Sequence, residues 1–264
     1  MRKSFFVFIA VLLSSLPAWA GCSKTLSFGM LEYPPYFTWD EAGHVSGLDA
    51  SILETVMKVA GCDYNLHKVP FKRGLRDVKL GHMDGMPGVS KTAERDESAY
   101  FTVPTRREII GLFARKNDEA ASRLTSFEDI VTGDQKVGVV LGGWYGDAFT
   151  DAMNTPAFRK RVQTSENFLT LLRWLEAGLV DVAIIDLLSG YHLSQLHGLD
   201  KNIKALTITV HENDLYFMLG KTTVTETDIL EINKAIQSFK ASPAYPELLG
   251  AYAPPYLADF LLSR

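Results

Sequence analysis

The sequence predicts an α/β fold made of two units in which strands and helices alternate. Three observations carry this prediction. Short strand-like apolar runs alternate along the chain with segments whose apolar residues recur at helical spacing. The runs at 137–141 and 180–185 are continuously apolar, as in strands buried on both faces of a mainly parallel sheet. The polar break Arg115-Lys116-Asn117-Asp118 separates two stretches with this same rhythm.

Residues 1–20 read as an address and not as part of the fold. Arg2 and Lys3 open it, an apolar run follows over 4–16, Pro17 breaks the run, and Ala18-Trp19-Ala20 closes it. This is the three-part pattern of a cleavable secretory signal. The apolar run falls short of the ~20 residues that span a bilayer. The alternatives are a retained anchor, or lipid attachment at Cys22, where Trp19 takes the place of the usual Leu-like residue three positions earlier. Cleavage after Ala20 removes two basic side chains from 264 residues of net charge −4, leaving 244 residues at −6. No later stretch of ~20 apolar residues follows, so the exported chain is expected to be soluble.

The elements follow in order. A strand is predicted at 26–30. Tyr33-Pro34-Pro35-Tyr36 must be extended or turning, because proline fixes φ and restricts its predecessor. A helix is predicted over 48–60, with Gly61 as its C-terminal stop. A strand over 64–69 and a helix over 74–80 come next, then a short strand at 83–86 running into Pro87-Gly88. A short helix opens at Ser90 or Thr92, and a strand spans 109–114. In the second stretch, 137–141 is a strand and Gly142-Gly143 leads to a helix through Phe149. A helix over 167–177 precedes the strand 180–185. Two strands, 206–210 and 215–219, lead to helices over 229–239 and 245–252, the last stopped by Pro254-Pro255.

Composition excludes several function classes. Hydrophobic residues make up 47% and charged residues 22%, which is ordinary for a globular chain. The acidic balance argues against a nucleic-acid partner, which calls for a basic excess. Two cysteines are too few for a four-thiolate zinc site. Cys22 precedes the first strand and Cys62 the second. If those strands are parallel neighbours, their starts lie side by side and a disulfide fits; two free thiols are the alternative.

Four groups of residues carry candidate chemistry. From Gly85 to Arg95 a strand ends, Gly88 lets the backbone approach a ligand, and a helix begins. Free N–H groups at that helix start, the Ser90 hydroxyl and the two-pronged guanidinium of Arg95 together make a carboxylate receptor. The plainer reading is a capped helix with a surface arginine. Gly142-Gly143 is a second candidate anion-facing turn, or a plain connection, without the order of a dinucleotide fingerprint. Asp186 ends a strand, where ligands of open α/β sheets bind, and could hold an ammonium group, cap the next helix, or both. Tyr33, Tyr36, Phe37, Trp39 and Phe71 supply an aromatic wall or core filling. G-x-S-x-G and H-E-x-x-H are absent, no cysteine lies beside an obvious histidine, and no metal or cofactor is expected.

These residues together resemble the bacterial extracellular solute-binding proteins of family 3. The resemblance rests on Tyr33-Pro34-Pro35-Tyr36, on Gly43 with Gly47-Leu48-Asp49, and on the run from Leu80 to Gly85. It continues through 88–95, 100–104, 137–142 and 180–186. It implies a periplasmic binding protein-like type II fold: two α/β lobes joined by two crossover strands, with a ligand cleft between them. Lobe 1 would take 21–108 and 214–264, and lobe 2 would take 109–213. It implies that Arg95 grips the ligand carboxylate with help from Gly88 and Ser90. Asp186 would hold the ammonium, while Tyr33 and Phe71 enclose the side chain. It also implies a periplasmic monomer that delivers a small amino acid or related carboxylate to an ABC permease. Met30 is neutral where members favouring basic ligands can carry an acid, and Lys72 and Arg73 flank Phe71, so a neutral or acidic ligand is expected. Gly142-Gly143-Trp144 replaces a turn that often reads Gly-Thr-Thr. The rival readings are an enzyme on the same fold, with Glu32 as its acid/base group, and a receptor that serves a membrane sensor.

Overall fold

The computed structural model describes residues 21–253. The expected signal at 1–20 and the expected stop at Pro254-Pro255 lie outside the described residues. In chain order, β1 (Leu26–Met30) runs into the aromatic segment 33–37, and a ribbon of β2 (Thr38–Trp39) and β3 (Val45–Ser46) leads to α1 (Leu48–Ala60). Next come β4 (Tyr64–Lys68), α2 (Phe71–Lys79), β5 (Gly85–Ser90), α3 (Ala93–Asp96), β6 (Ala99–Phe101) and the long β7 (Arg106–Arg115). The chain continues through α4 (Glu119–Ser122), α5 (Phe127–Thr132), β8 (Val137–Val140), α6 (Asp147–Met153), α7 (Pro156–Arg159) and β9 (Val162–Ser165). It then forms α8 (Phe168–Glu176), β10 (Val182–Asp186), α9 (Leu187–Leu196), β11 (Ile203–Gly220), α10 (Glu226–Lys240) and α11 (Ala244–Tyr252).

Nine of these strands share one sheet, in the order β4-β1-β5-β11-β7-β10-β8-β9, with β6 also on β11. Its outer parts are parallel: β1 with β4 and β5, and β8 with β9 and β10. Its centre is antiparallel, because β7 and β11 pair with each other along their length and with β10 and β5 on either side. The expected mainly parallel sheet is thus split by two long connecting strands. The apolar interior divides in the same way. One cluster joins β1, β5, α1, α10 and α11, and two others cover the faces of the β8–β10 part.

The strands expected at 206–210 and 215–219 are one strand, β11. Its polar middle, His211 to Asp214, lies where β11 runs from one half of the sheet to the other, so exposure changes while the strand continues. β5 likewise runs on through Pro87-Gly88. The register with β11 slips there, and the two residues face Phe217 alone as a bulge, where a proline without an N–H breaks no ladder. α2 begins three residues before the expected Gly74, directly after Pro70.

α1 shows how the sequence positions the site. Leu48, Ile52, Leu53, Val56 and Met57 are buried on its core face. Its first amides are satisfied from outside, Leu48 N–H by the Pro35 carbonyl at 2.9 Å and Asp49 N–H by that of Tyr36 at 3.1 Å. Gly47 permits this seating: its φ is 124°, and a Cβ there would lie 2.4 Å from the Tyr36 oxygen. The aromatic segment therefore rests on the start of α1, beside Asp49. Cys22 and Cys62 form a disulfide with Cα atoms 4.8 Å apart, where β1 and β4 start side by side in register Leu26 to Tyr64.

Candidate functional site

β7 carries two charged residues into the interior. Arg106, Glu108 and Ile110 alternate on one face of the strand and are all buried. Arg106 is 1% exposed and binds Asp49 through two hydrogen bonds, Nε to Oδ1 at 2.6 Å and Nη2 to Oδ2 at 2.9 Å. Its guanidinium carbon lies 3.8 Å from the centre of the Tyr36 ring. Gly88, at φ 67°, passes so close that a Cβ there would meet Asp49 Oδ2 at 2.6 Å.

Ile110 pairs with Asp186 across the β7–β10 ladder. Asp186 is 2% exposed and caps α9, its Oδ1 accepting from Ser189 N–H at 2.7 Å. The same oxygen accepts from the Tyr36 hydroxyl at 2.6 Å. Burial raises the Asp186 carboxyl pKa, while Arg106 and these two donors lower it. Ser189 Oγ donates to the Pro34 carbonyl at 2.7 Å, and the Tyr33 ring stacks on Phe168 with centroids 4.4 Å apart. Residues 33–36 are thereby tied to α8 and α9 in the other half of the sheet.

A cavity lies between these ties, with about 70 Å³ open to the centre of a water molecule. Seven of the ten ligand-contact residues expected from sequence line it: Tyr33, Phe71, Gly88, Ser90, Arg95, Gly143 and Asp186. Arg95 enters from α3, which Thr92 caps. Its Nη1 donates to the Ser90 carbonyl at 2.8 Å, and its guanidinium lies 5.6 Å from the Phe71 ring centre. Among the described residues it forms no ion pair. Burial lowers its pKa, and the charges of Glu94 and Glu108 oppose that.

Three expected residues lie elsewhere. Tyr36 stands behind the cavity and holds Asp186. Gly142 packs against the Lys72 side chain. Arg73 is exposed on α2 and pairs with Asp77 at 3.3 Å, one helical turn away. Glu32, the acid/base candidate, is exposed and bonded to Lys68 outside the cavity.

Sequence reasoning missed Glu108 on the lining and the Arg106–Asp49 pair behind it, and it read Trp144, which also lines the cavity, only as a departure from the usual turn. Glu108 is 6% exposed. Burial, then the charge of Asp186, push its carboxyl up to about 8, against the pull of Arg106 and an Asn213 hydrogen bond. The signal available was the alternation of Arg106 and Glu108 with Ile110 at the start of a strand that is apolar from Ile109 to Ala114. Because Arg106 and Asp49 neutralise each other, the lining presents, among the described residues, one cation, Arg95, and two acids, Asp186 and Glu108. An apolar pocket with a few convergent, perturbed polar groups is the usual form of a small-molecule site.

The family model of the bacterial extracellular solute-binding proteins, family 3, matches residues 26–254. This chain belongs to that family. No curated protein matches it in sequence. Solved structures share its fold. A histidine kinase sensor domain with similarity to periplasmic binding proteins superposes with a TM-score of 0.75 at 17% identity, covering 88% of this chain and 96% of its own. An ancestral arginine-binding protein bound to arginine gives 0.73 at 21%, covering 87% and 98%. An ancestral amino acid-binding protein, a precursor of cyclohexadienyl dehydratase, gives 0.72 at 20%, covering 86% and 94%. At these identities the likeness is one of fold. The periplasmic-binding-protein-like α/β class expected from sequence is thus the class of this solute-binding protein. Among the described residues, no helix is long and apolar enough to cross a membrane.

Proposed function

We propose that this solute-binding protein captures a small amino acid or related carboxylate between two lobes, in the periplasm, and delivers it as a monomer to an ABC permease. The observation that carries the reading is Arg95, a cation without an ion pair among the described residues, lining one cavity together with the acids Asp186 and Glu108. Arg95 and Ser90 bind the carboxylate, Asp186 receives the ammonium, and Tyr33, Phe71 and Trp144 enclose the rest. Lobe 1 is residues 21–108 with 214–264, and lobe 2 is 109–213. Arg95 belongs to the first and Asp186 to the second, so one zwitterion bridges both only when they approach. That difference in contacts between open and closed forms lets a ligand shift the equilibrium towards closure. β7 and β11 are the connections about which the lobes move.

The test is titration of the purified protein with the standard amino acids and small carboxylates, with small-angle scattering on each ligand that binds. A saturable ligand that makes the particle more compact supports the reading. If nothing in the panel binds, or binding leaves the particle unchanged, lobe-closing capture is wrong. Ligand-dependent ATPase stimulation of candidate ABC permeases in proteoliposomes separates delivery to a transporter from service to a sensor.

A further inference from the structure

Among the described residues, the cavity lining carries one acidic side chain more than a neutral zwitterion engages. Arg95 matches a ligand carboxylate, and one of the two acids matches an ammonium. One buried acid then remains without a partner on the ligand; ionised it would be costly, so it stays protonated until a second cation enters. Asp186 already accepts two hydrogen bonds from the protein on Oδ1. Glu108 makes no ion pair among the described residues and faces the cavity. Because Ile110 lies opposite Asp186, Glu108 is its diagonal neighbour on the same face of the ladder.

We infer that Glu108 is a second cation-binding residue of this site, and that the preferred ligand is an amino acid with an additional amino group on its side chain. The inference rests on the reading of the cleft as an amino-acid site, and it reverses the sequence expectation of a neutral or acidic ligand. That expectation followed from neutral Met30 and from Lys72 and Arg73; the two cations do not line the cavity, and Glu108, on another strand, supplies the acid.

Glu108 faces Arg106 on its own strand, Asp49 from α1, Asp186 from β10 and Asn213 from β11. Tyr33 and Tyr36 face it from the aromatic segment, Arg95 from α3, and Tyr145 from the turn after β8. With its carboxyl pushed up to about 8, Glu108 holds a proton at pH 7 in the empty cleft. A cationic side chain replaces that proton. Binding at pH 7 therefore releases close to one proton, and affinity rises about tenfold per pH unit up to roughly pH 7 and levels off above about 8.

The experiment is calorimetric titration of the wild-type protein and Glu108→Gln with L-ornithine, L-lysine, L-glutamine and L-glutamate, in two buffers of different ionisation enthalpy. The expected result is that ornithine or lysine binds the wild type most tightly with release of close to one proton. Glu108→Gln, close in size, loses the proton release and at least about tenfold of that affinity, while glutamine gains relative to the basic ligands. Tighter binding of glutamine or glutamate to the wild type overturns the inference and leaves amino-acid capture standing. So does basic-ligand binding without proton release, a readout that does not depend on the variant folding. If none of the four binds, while the wider panel yields another ligand, this inference alone fails. If the wider panel is also silent, the capture reading fails with it.

Discussion

The Tyr36 hydroxyl donates to Asp186 Oδ1 at 2.6 Å, although the two residues are 150 positions apart. This bond ties the segment after β1 to the cap of α9. Both groups are buried, so the loss of this donor is incompletely compensated. Tyr36→Phe should lower stability by ~1–3 kcal/mol, read by urea unfolding, with secondary structure unchanged. A variant as stable as the parent would show that the bond contributes nothing.

The Arg106–Asp49 pair is held more strongly. Removing either partner leaves the other charge buried and uncompensated, which costs ~3–5 kcal/mol. Arg106→Met and Asp49→Asn should each lose that much in urea unfolding. The double variant should lose clearly less than their sum, because it strands no charge. Strict additivity would mean that the two residues do not act as a pair.

Much of this architecture is legible in the sequence, for identifiable reasons. α1 reads clearly because its apolar face keeps helical spacing and Gly61 ends it in the left-handed conformation. Arg95 and Asp186 read clearly because each follows a strand end at a helix start, a local pattern. The Arg106–Asp49 pair and the role of Glu108 depend on residues far apart in the chain. Charged residues in a strand read locally as exposure, and only the crossing of β7 beneath Tyr36 buries them. The polar middle of β11 reads locally as a break between two strands, since local pattern cannot show one strand passing between two halves of a sheet.

The Cys22–Cys62 bridge closes a loop spanning 40 positions. Chain-entropy arguments give such a closure roughly 4 kcal/mol. The non-reduced denatured protein should show no free thiol, and dithiothreitol should lower Tm by several degrees. An unchanged Tm after verified reduction would remove the bridge from the account of stability.

Glu108 makes the empty protein pH-sensitive. Its carboxyl is raised from an ordinary value near 4.5 to about 8. Between these values the folded state holds a proton that the unfolded state has lost. Stability from this group is therefore full below about pH 4.5, falls as pH rises, and is gone above about pH 8. At ~1.4 kcal/mol per unit, the span amounts to a few kcal/mol. Urea unfolding at pH 5.5 and 8.5 without ligand should show the loss, and Glu108→Gln should flatten it. The same slope in the variant would assign the effect to other groups.

Amino-acid capture through Arg95 is the central claim, and a thermal-shift screen of wild type and Arg95→Ala against amino acids and small carboxylates tests it most directly. A ligand that binds only the folded state raises Tm by mass action. The account predicts that at least one amino acid raises the wild-type Tm, and that Arg95→Ala, with a near-normal Tm of its own, shows no shift at the same concentration. An equal shift in Arg95→Ala would contradict it.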